Sequence, residues 1–451
     1  MCLIVIKNIK KYLYKMVMSK IKISKIQVVY LFGVYDYDLE CASNSDVDNL
    51  MILYGDNGTG KSTILRMIYY LLSSKSNCGH KSQLANIPFK DFKIHFDDGS
   101  FVEAVRMSTS TNLLGTYSIL YKIGDVADHF DLVARKDDDD HWVIRDQDSL
   151  NDEKFDSFLD RLHNLNILYI TDTRKVQDFD DQTTIETYRI NRIKARMRRM
   201  EKGTTDVDNA IRSLHDWIIN RALSANKKGE EGTSDIYAKI IEQLSKTQNS
   251  DNGKTSLEKI KENLTDISIR VKPYVDMGFL SESDYRNLLK NISNTKSRKI
   301  EIVNAVLTPY IEMLNNKIKA LDSLMEIISY LLKSLSGYLH EKIISFSINE
   351  GLVIRHRKNG EIVQPSSLSS GEKQLLILFS QVIVKSSECS LILIDEPEIS
   401  LNVKWQRMLM DTMNFFVGEN HAQFIIATHS FEILSRHIGN VAKLVNKTEY
   451  E

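Results

Sequence analysis

Four short groups of residues have the types and spacing needed to handle a phosphate chain. Residues 55–62 read Gly55-Asp56-Asn57-Gly58-Thr59-Gly60-Lys61-Ser62, with Thr63 following. Glycines at that spacing let the backbone curl until successive N–H groups point at anionic oxygens, and a helix opening there adds its positive N-terminus. Lys61 then reaches the β- and γ-phosphates of a nucleoside triphosphate, and the Ser62 hydroxyl is placed to ligate Mg²⁺. Asp395-Glu396 ends the apolar run Leu391-Ile392-Leu393-Ile394. Asp395 there can hold Mg²⁺ directly or through water, and Glu396 is placed to polarise a water attacking the γ-phosphate. Ser369-Ser370-Gly371-Glu372-Lys373-Gln374 opens a helix with hydroxyls and little bulk, a second anion site by type. His429 follows another apolar run, Phe424-Ile425-Ile426-Ala427.

Each group also has an ordinary structural reading. Alone, the serine-rich segment is a helix cap, Asp395-Glu396 a charged turn after a strand, and His429 a structural histidine. Their order in one chain, with the glycine loop set between a predicted strand and a predicted helix, favours the chemical reading of all four.

The elements that must position them can be read from periodicity. Leu50–Tyr54 is an apolar run leading into the glycine loop, and Ile64, Leu65, Met67, Ile68, Leu71 and Leu72 recur after it at helical spacing. The runs at 391–394 and 424–427 predict buried parallel strands. Phe89 to Val102 alternates around Asp97-Asp98-Gly99, a hairpin pattern, and Ile344–Ile348 and Leu352–Arg355 flank Asn349-Glu350-Gly351 in the same way. Between them, Leu307, Ile311, Leu314, Ile318, Leu321, Met325, Ile328, Leu332, Leu335 and Leu339 step by four and three, the seam of a coiled coil. Thr308-Pro309 suits a helix start or kink, and Lys227 to Thr233 reads as a flexible turn. A helical bundle packed on the rest of the protein is the alternative to a projecting arm. The expected organisation is an α/β nucleotide-binding head split between 1–185 and 341–451, with a helical or coiled-coil insertion over 186–340.

Composition sets outer bounds. The 451 residues carry 59 basic and 60 acidic side chains, a formal charge of −1, so bulk charge names no partner. Lys7, Lys10, Lys11, Lys15, Lys20, Lys22 and Lys25 form an acid-free N-terminal stretch, either a solvated tail or a nucleic-acid arm. Cys2, Cys41, Cys78 and Cys389 include no Cys-x-x-Cys pair, which predicts neither disulfide framework nor zinc site and fits a reducing cytoplasm. Leu3–Ile6 is too short for a signal core, and no run reaches the length of a membrane span. The expectation is a cytoplasmic protein without a membrane partner.

The four groups in this order resemble the ATP-binding-cassette ATPases: Walker A at 55–62, the signature at Ser369-Ser370-Gly371, Walker B at Asp395-Glu396 and the switch histidine at His429. With the long helical insertion, the chain resembles their SMC-like and OLD-like branch. Asp395-Glu396-Pro397-Glu398-Ile399-Ser400-Leu401 and Trp405-Gln406 look like the OLD-related members, while Asn402-Val403 departs from the His-Pro often found there. The resemblance implies an ATPase using ATP and Mg²⁺, with Gly55 to Thr63 binding nucleotide and Ser62 and Asp395 holding the metal. It implies Glu396, His429 and Lys61 as catalytic residues, and Gln177, beside Arg174, as the candidate for the glutamine loop. It further implies a head-to-head dimer, open to assembly into larger oligomers, in which Ser369, Ser370 and Gly371 complete the ATP site of the second copy.

Without a Cys-x-x-Cys hook in the insertion the chain is unlike the double-strand-break-repair members, and Phe431–Glu451 is too short for the TOPRIM nuclease domain of OLD proteins. The expected effector is therefore a separate TOPRIM or HNH nuclease, as in the two-component PARIS, Septu and retron-associated Septu-like anti-phage systems, with a phage-derived trigger. The alternative is a RecF/SMC-like repair or chromosome-maintenance ATPase acting directly on DNA or RNA, for which the basic stretch Arg192–Arg199 speaks. A transporter subunit fits less well, because the insertion is too long.

Overall fold

The computed structural model describes residues 21–40, 49–75, 78–106, 113–144, 152–176, 205–230, 266–267, 269–280, 300–418 and 422–447. The N-terminal lysines before Lys22, Gln177 and Arg192–Arg199 lie outside them. The described residues fall into two compact units, one drawn from 1–204 and 377–451, the other from 205–376.

Two sequence patterns give the first unit two kinds of sheet. The antiparallel sheet holds β1 (Ile23–Leu31), β2 (Tyr35–Glu40), β4 (Asp91–Phe96), β5 (Phe101–Val105), β6 (Tyr117–Ile123) and β7 (Val126–Leu132), in the order β2-β1-β4-β5-β6-β7. Its strands alternate: β4 buries every second residue, as a sheet with one covered face must. The hairpin read at Asp97-Asp98-Gly99 joins β4 to β5, with Gly99 at φ 81. The second sheet holds β3 (Leu50–Tyr54), β10 (Ile167–Ile170), β13 (Leu391–Asp395), β14 (Gln423–Thr428) and β15 (Val441–Lys443). Its order is β10-β13-β14-β3-β15 and every pairing is parallel. All residues of β13 and β14 are buried, which is why their sequences do not alternate. This sheet interleaves strands from the two ends of the chain, so the head is a mixed α/β structure assembled from distant segments. A short pair, β8 (Ala134–Lys136) and β9 (Trp142–Ile144), completes the strands of this unit.

Helix α1 (Lys61–Leu72) touches β13 and β14 of the parallel sheet and β5 of the antiparallel one. All its residues except Ser62 and Arg66 are buried, because a helix covered on both sides must be apolar almost all round. Ile64, Leu65, Met67 and Ile68 are fully buried, and truncating any one of them to alanine costs on the order of 2–5 kcal/mol. The helix that opens at the glycine loop is thus held firmly by the core. Helices α2 (His80–Ala85) and α3 (Asp152–Leu162) cover the remaining edges of this core.

In the second unit, α4 (Asp206–Glu230) lies against α5 (Ile300–Tyr338), and β11 (Lys342–Ser347) pairs with β12 (Gly351–His356) around the expected Asn349-Glu350-Gly351 turn. Lys227 to Glu230 continue α4 rather than open a turn, with Gly229 in the final turn, where a helix best tolerates it. Helix α5 begins ahead of Pro309, which sits inside it. The seam residues Leu314, Ile318, Leu321, Met325, Ile328, Leu335 and Leu339 are buried, but so are Leu324, Leu331 and Tyr338, each one place before a seam position. The buried stripe is therefore three positions wide, which suits a helix packed on both α4 and β11 better than a strict two-helix seam. Helix α6 (Ser370–Ser386) crosses the division between the units, and α7 (Val403–Val417) and α8 (Phe431–Arg436) belong to the first. Among the described residues no helix is long and apolar enough to cross a membrane.

Candidate active site

Because the five strands run the same way, their C-terminal ends share one edge, where ligands of open α/β sheets bind. β3 leaves that edge into the glycine loop, β13 into Glu396, β14 into His429 and β10 into Thr171–Lys175.

The loop needs its glycines for two reasons. Gly58 and Gly60 have φ of 83 and 91, the left-handed region. A Cβ on Gly60 would also lie 2.8 Å from the Leu31 Cδ2, while one on Gly58 would meet nothing within 4 Å. Gly60 is the N-cap of α1 and no side chain caps it, so the first amides of the helix are left for another acceptor. The loop is braced from within by the Thr59 hydroxyl, which donates to Asp56 O at 2.8 Å, and from the antiparallel sheet by Tyr37, whose hydroxyl donates to Thr59 O at 2.8 Å. Asp56, Asn57 and Gly58 are exposed. Thr63 is buried and accepts a hydrogen bond from Arg66.

Lys61 folds back over the loop, its Nζ donating to Gly55 O and Asp56 O, each at 2.9 Å. Burial lowers its pKa, and the carboxylates of Glu396, Asp395 and Asp56 pull the other way. Ser62 Oγ donates to Asp395 Oδ1 at 2.9 Å, joining residues from the two ends of the chain. Burial pushes the Asp395 carboxyl up to about 6 despite that hydrogen bond, and the neighbouring Glu396 adds to the rise. Two hard oxygens in contact at the mouth of a phosphate loop fit Mg²⁺, which takes few protein ligands and keeps several waters.

Glu396 has φ 45, and its N–H donates to Ala427 O at 2.8 Å. Its Oε1 lies 3.6 Å from His429 Nε2, both side chains being 32% exposed. A half-exposed carboxylate beside an imidazole is positioned to hold and polarise a water. The structure therefore brings Gly55–Thr63, Asp395, Glu396 and His429 to one edge. Gln177 lies outside the described residues.

Ser369, Ser370 and Gly371 belong to the other unit. There the Ser369 N–H donates to Glu372 Oε2 at 2.9 Å and the Glu372 N–H to Ser369 Oγ at 3.4 Å, a reciprocal capping box that opens α6. Glu372 also pairs with Lys342. Burial works to raise the Glu372 pKa, but the bonds from Lys342 and Ser369 outweigh it and hold the carboxyl below its usual value. Asn402, which departs from the OLD-like pattern, caps α7 by accepting from the Trp405 N–H at 3.0 Å.

Tyr37 carries no signal in the sequence, and Arg174 and Glu398, named there only as neighbours of Gln177 and Glu396, join it in binding the backbone of this edge. Their partners are main-chain groups brought close by the fold, and only the Glu398 position, inside the Asp-Glu-Pro-Glu run, carried a local signal.

A family model described as "AAA domain, putative AbiEii toxin, Type IV TA system" matches residues 50–435. The chain belongs to this AAA-domain ATPase family. The matched span starts at β3 and runs past Ser369–Gly371, Asp395-Glu396 and His429, so it takes in the glycine loop, these residues and both long helices. A curated relative, the "Retron Vc95 probable ATPase" of Vibrio cholerae serotype O1 biovar El Tor, is 32% identical over 105 residues, 21% of this chain and 20% of that protein. The aligned stretch thus spans about a fifth of that relative. Among solved structures, the Smc head domain with an extended coiled coil from Pyrococcus furiosus is 14% identical with a TM-score of 0.36, covering 94% of this chain and 96% of that one. The Smc head with a coiled coil and joint from Pyrococcus yayanosii is 13% identical, also at 0.36, covering 94% and 97%. The family match carries the assignment; these two likenesses add no argument to it.

Proposed function

We propose that this chain is the ATP-binding and ATP-hydrolysing sensor subunit of a prokaryotic anti-phage defence complex, and that it governs a separately encoded effector. The observation that carries the chemistry is the Ser62–Asp395 contact at 2.9 Å, with Glu396 and His429 on the same strand edge. The uncapped amides of α1 and Lys61 bind the triphosphate, Lys61 exchanging its loop carbonyls for phosphate oxygens. Ser62 and Asp395 would hold Mg²⁺, which would supply positive charge to offset that of the triphosphate. Glu396 orients the attacking water and takes its proton as the water oxygen bonds to the γ-phosphorus and the bond to ADP breaks. His429 hydrogen-bonds the same water or the γ-phosphate. Ser369, Ser370 and Gly371 of a second copy close the site across a head-to-head dimer, so hydrolysis and assembly are coupled.

The defence setting is supported by the family description and by the retron relative. A TOPRIM or HNH nuclease is the effector we expect, released or gripped as the heads open and close. The test is co-expression with the adjacent genes, followed by pull-down and phage challenge. The reading predicts a co-purifying effector and loss of phage resistance in Lys61→Ala and Glu396→Gln; no bound effector and intact resistance in both variants would overturn it.

A further inference from the structure

We infer that Arg174 and Glu398 are positioning residues for hydrolysis: Arg174 clamps the backbone that carries Glu396, and Glu398 clamps the backbone that carries His429. The inference rests on the assignment of Glu396 and His429 to ATP hydrolysis.

Glu396 stands in the left-handed region, at φ 45. A side-chain-bearing residue in the left-handed region is strained, and such strain persists only where neighbours over-determine it. Here they act from both sides of the residue. Its N–H is fixed by Ala427 O, and its C=O accepts from Arg174 Nη2 at 3.0 Å. The same guanidinium donates to Asp395 O at 3.2 Å and Pro397 O at 2.9 Å, so three successive carbonyls converge on it. A planar fork of five donors suits that convergence, and a lysine ammonium does not.

Arg174 is itself tightly placed. It is 3% exposed, with φ 60 in the turn after β10, the strand next to β13. Its N–H donates to Thr171 O at 2.8 Å, and its C=O accepts from Gln381 Nε2 at 2.8 Å on α6. Burial lowers its pKa to about 10, which leaves it charged at neutral pH. An apolar residue would fill the same space without the cost of burying a cation. The charge is spent on the exit of β13, where Glu396 sits.

Glu398 does the equivalent for β14. Its Oε1 accepts from the Thr428 hydroxyl at 2.6 Å, the His429 N–H at 2.7 Å and the Ser430 N–H at 3.0 Å. Three donors on one oxygen fix the turn from which the imidazole projects. With both exits tied, His429 and Glu396 stand 3.6 Å apart. Among the described residues neither Arg174 nor Glu398 bonds to the glycine loop. Removing either clamp should therefore leave nucleotide binding in place while turnover falls, the mark of an interaction needed only in the transition state.

The test uses the full chain and reads kcat, KM, affinity for a non-hydrolysable fluorescent ATP analogue, and thermal unfolding. Arg174→Lys and Glu398→Ala should each lower kcat roughly tenfold to a hundredfold. KM and analogue affinity should move less than about threefold, and Glu398→Gln, which keeps an acceptor oxygen, should recover most of the lost rate. The Glu398 pair decides the matter even where Arg174→Lys does not fold. Wild-type kcat in Arg174→Lys and Glu398→Ala, or parallel loss of affinity, kcat and melting temperature, would overturn the inference. If Glu396→Gln is inactive while the clamp variants are normal, only the positioning roles fail. If Glu396→Gln turns over at the wild-type rate, the ATPase reading fails and the clamps fall with it.

Discussion

Two helices in this chain open at segments that both look like anion sites in sequence, yet they are finished in opposite ways. Helix α1 opens at Gly60, in the left-handed region, with no side chain on its amides. Helix α6 opens at Ser369, where Ser369 and Glu372 satisfy each other and Lys342 pairs with the carboxylate. A helix N-terminus whose own chain supplies no side-chain acceptor leaves its first amides open to a bound anion. One that carries its own carboxylate is already complemented. The first terminus is thus built around a ligand, and the second is built to stand by itself. Ser369 Oγ accepts in the box, so the hydroxyl proton is not used in that reciprocal pair.

The sharpest way to break this contrast is Lys61→Ala. If α1 is the ligand terminus, the variant should lose nucleotide affinity by roughly a hundredfold or more, as expected for removing charge-assisted bonds to phosphate, measured by titration with a fluorescent ATP analogue. Ser369→Ala should leave that affinity unchanged in a single copy.

The next effect is on folding. Gly60→Ala combines a left-handed φ with a contact at 2.8 Å and should destabilise the chain by about 2–3 kcal/mol. Gly58→Ala meets open space and should cost only about 1 kcal/mol. Denaturant melts of the two variants compare them directly, and equal losses would mean that the packing on Leu31 plays no part.

Smaller again is the loss of the capping box. Ser369→Ala should cost about 1 kcal/mol in a denaturant melt. The smallest effect is one of pH. Because the Glu372 pKa is held below its usual 4.5, its contribution is fully present above pH 4.5 and is lost as pH falls through the lowered value. Glu372→Gln should remove that acid-side loss while keeping most of the cap. Melting curves between pH 3 and 6 would show it, and an unchanged acid slope would contradict the assignment.

What the sequence made legible follows from which interactions are local. The strand, loop and helix at 50–72 can be read because apolar periodicity and glycine spacing are properties of neighbouring residues. The buried runs at 391–394 and 424–427 can be read as parallel strands because nothing in them alternates. The breadth of the α5 stripe was not legible. Leu324, Leu331 and Tyr338 look like neighbours of a heptad seam until a second surface packs against them. Nor was the role of Arg174, noted only as a neighbour of Gln177: its three partners are carbonyls more than two hundred positions away, and carbonyls leave no trace in residue type. Tyr37 is hidden for the same reason, in a strand where an aromatic residue needs no special explanation.

On the proposed function, the strand edge carrying Lys61, Asp395 and Glu396 hydrolyses ATP with Glu396 acting on the water. This is tested most directly by comparing wild type and Glu396→Gln for ATP turnover and for affinity toward the same nucleotide. Glu396→Gln should keep affinity within about threefold and lose turnover by roughly a hundredfold or more. Equal turnover in the two proteins would contradict it.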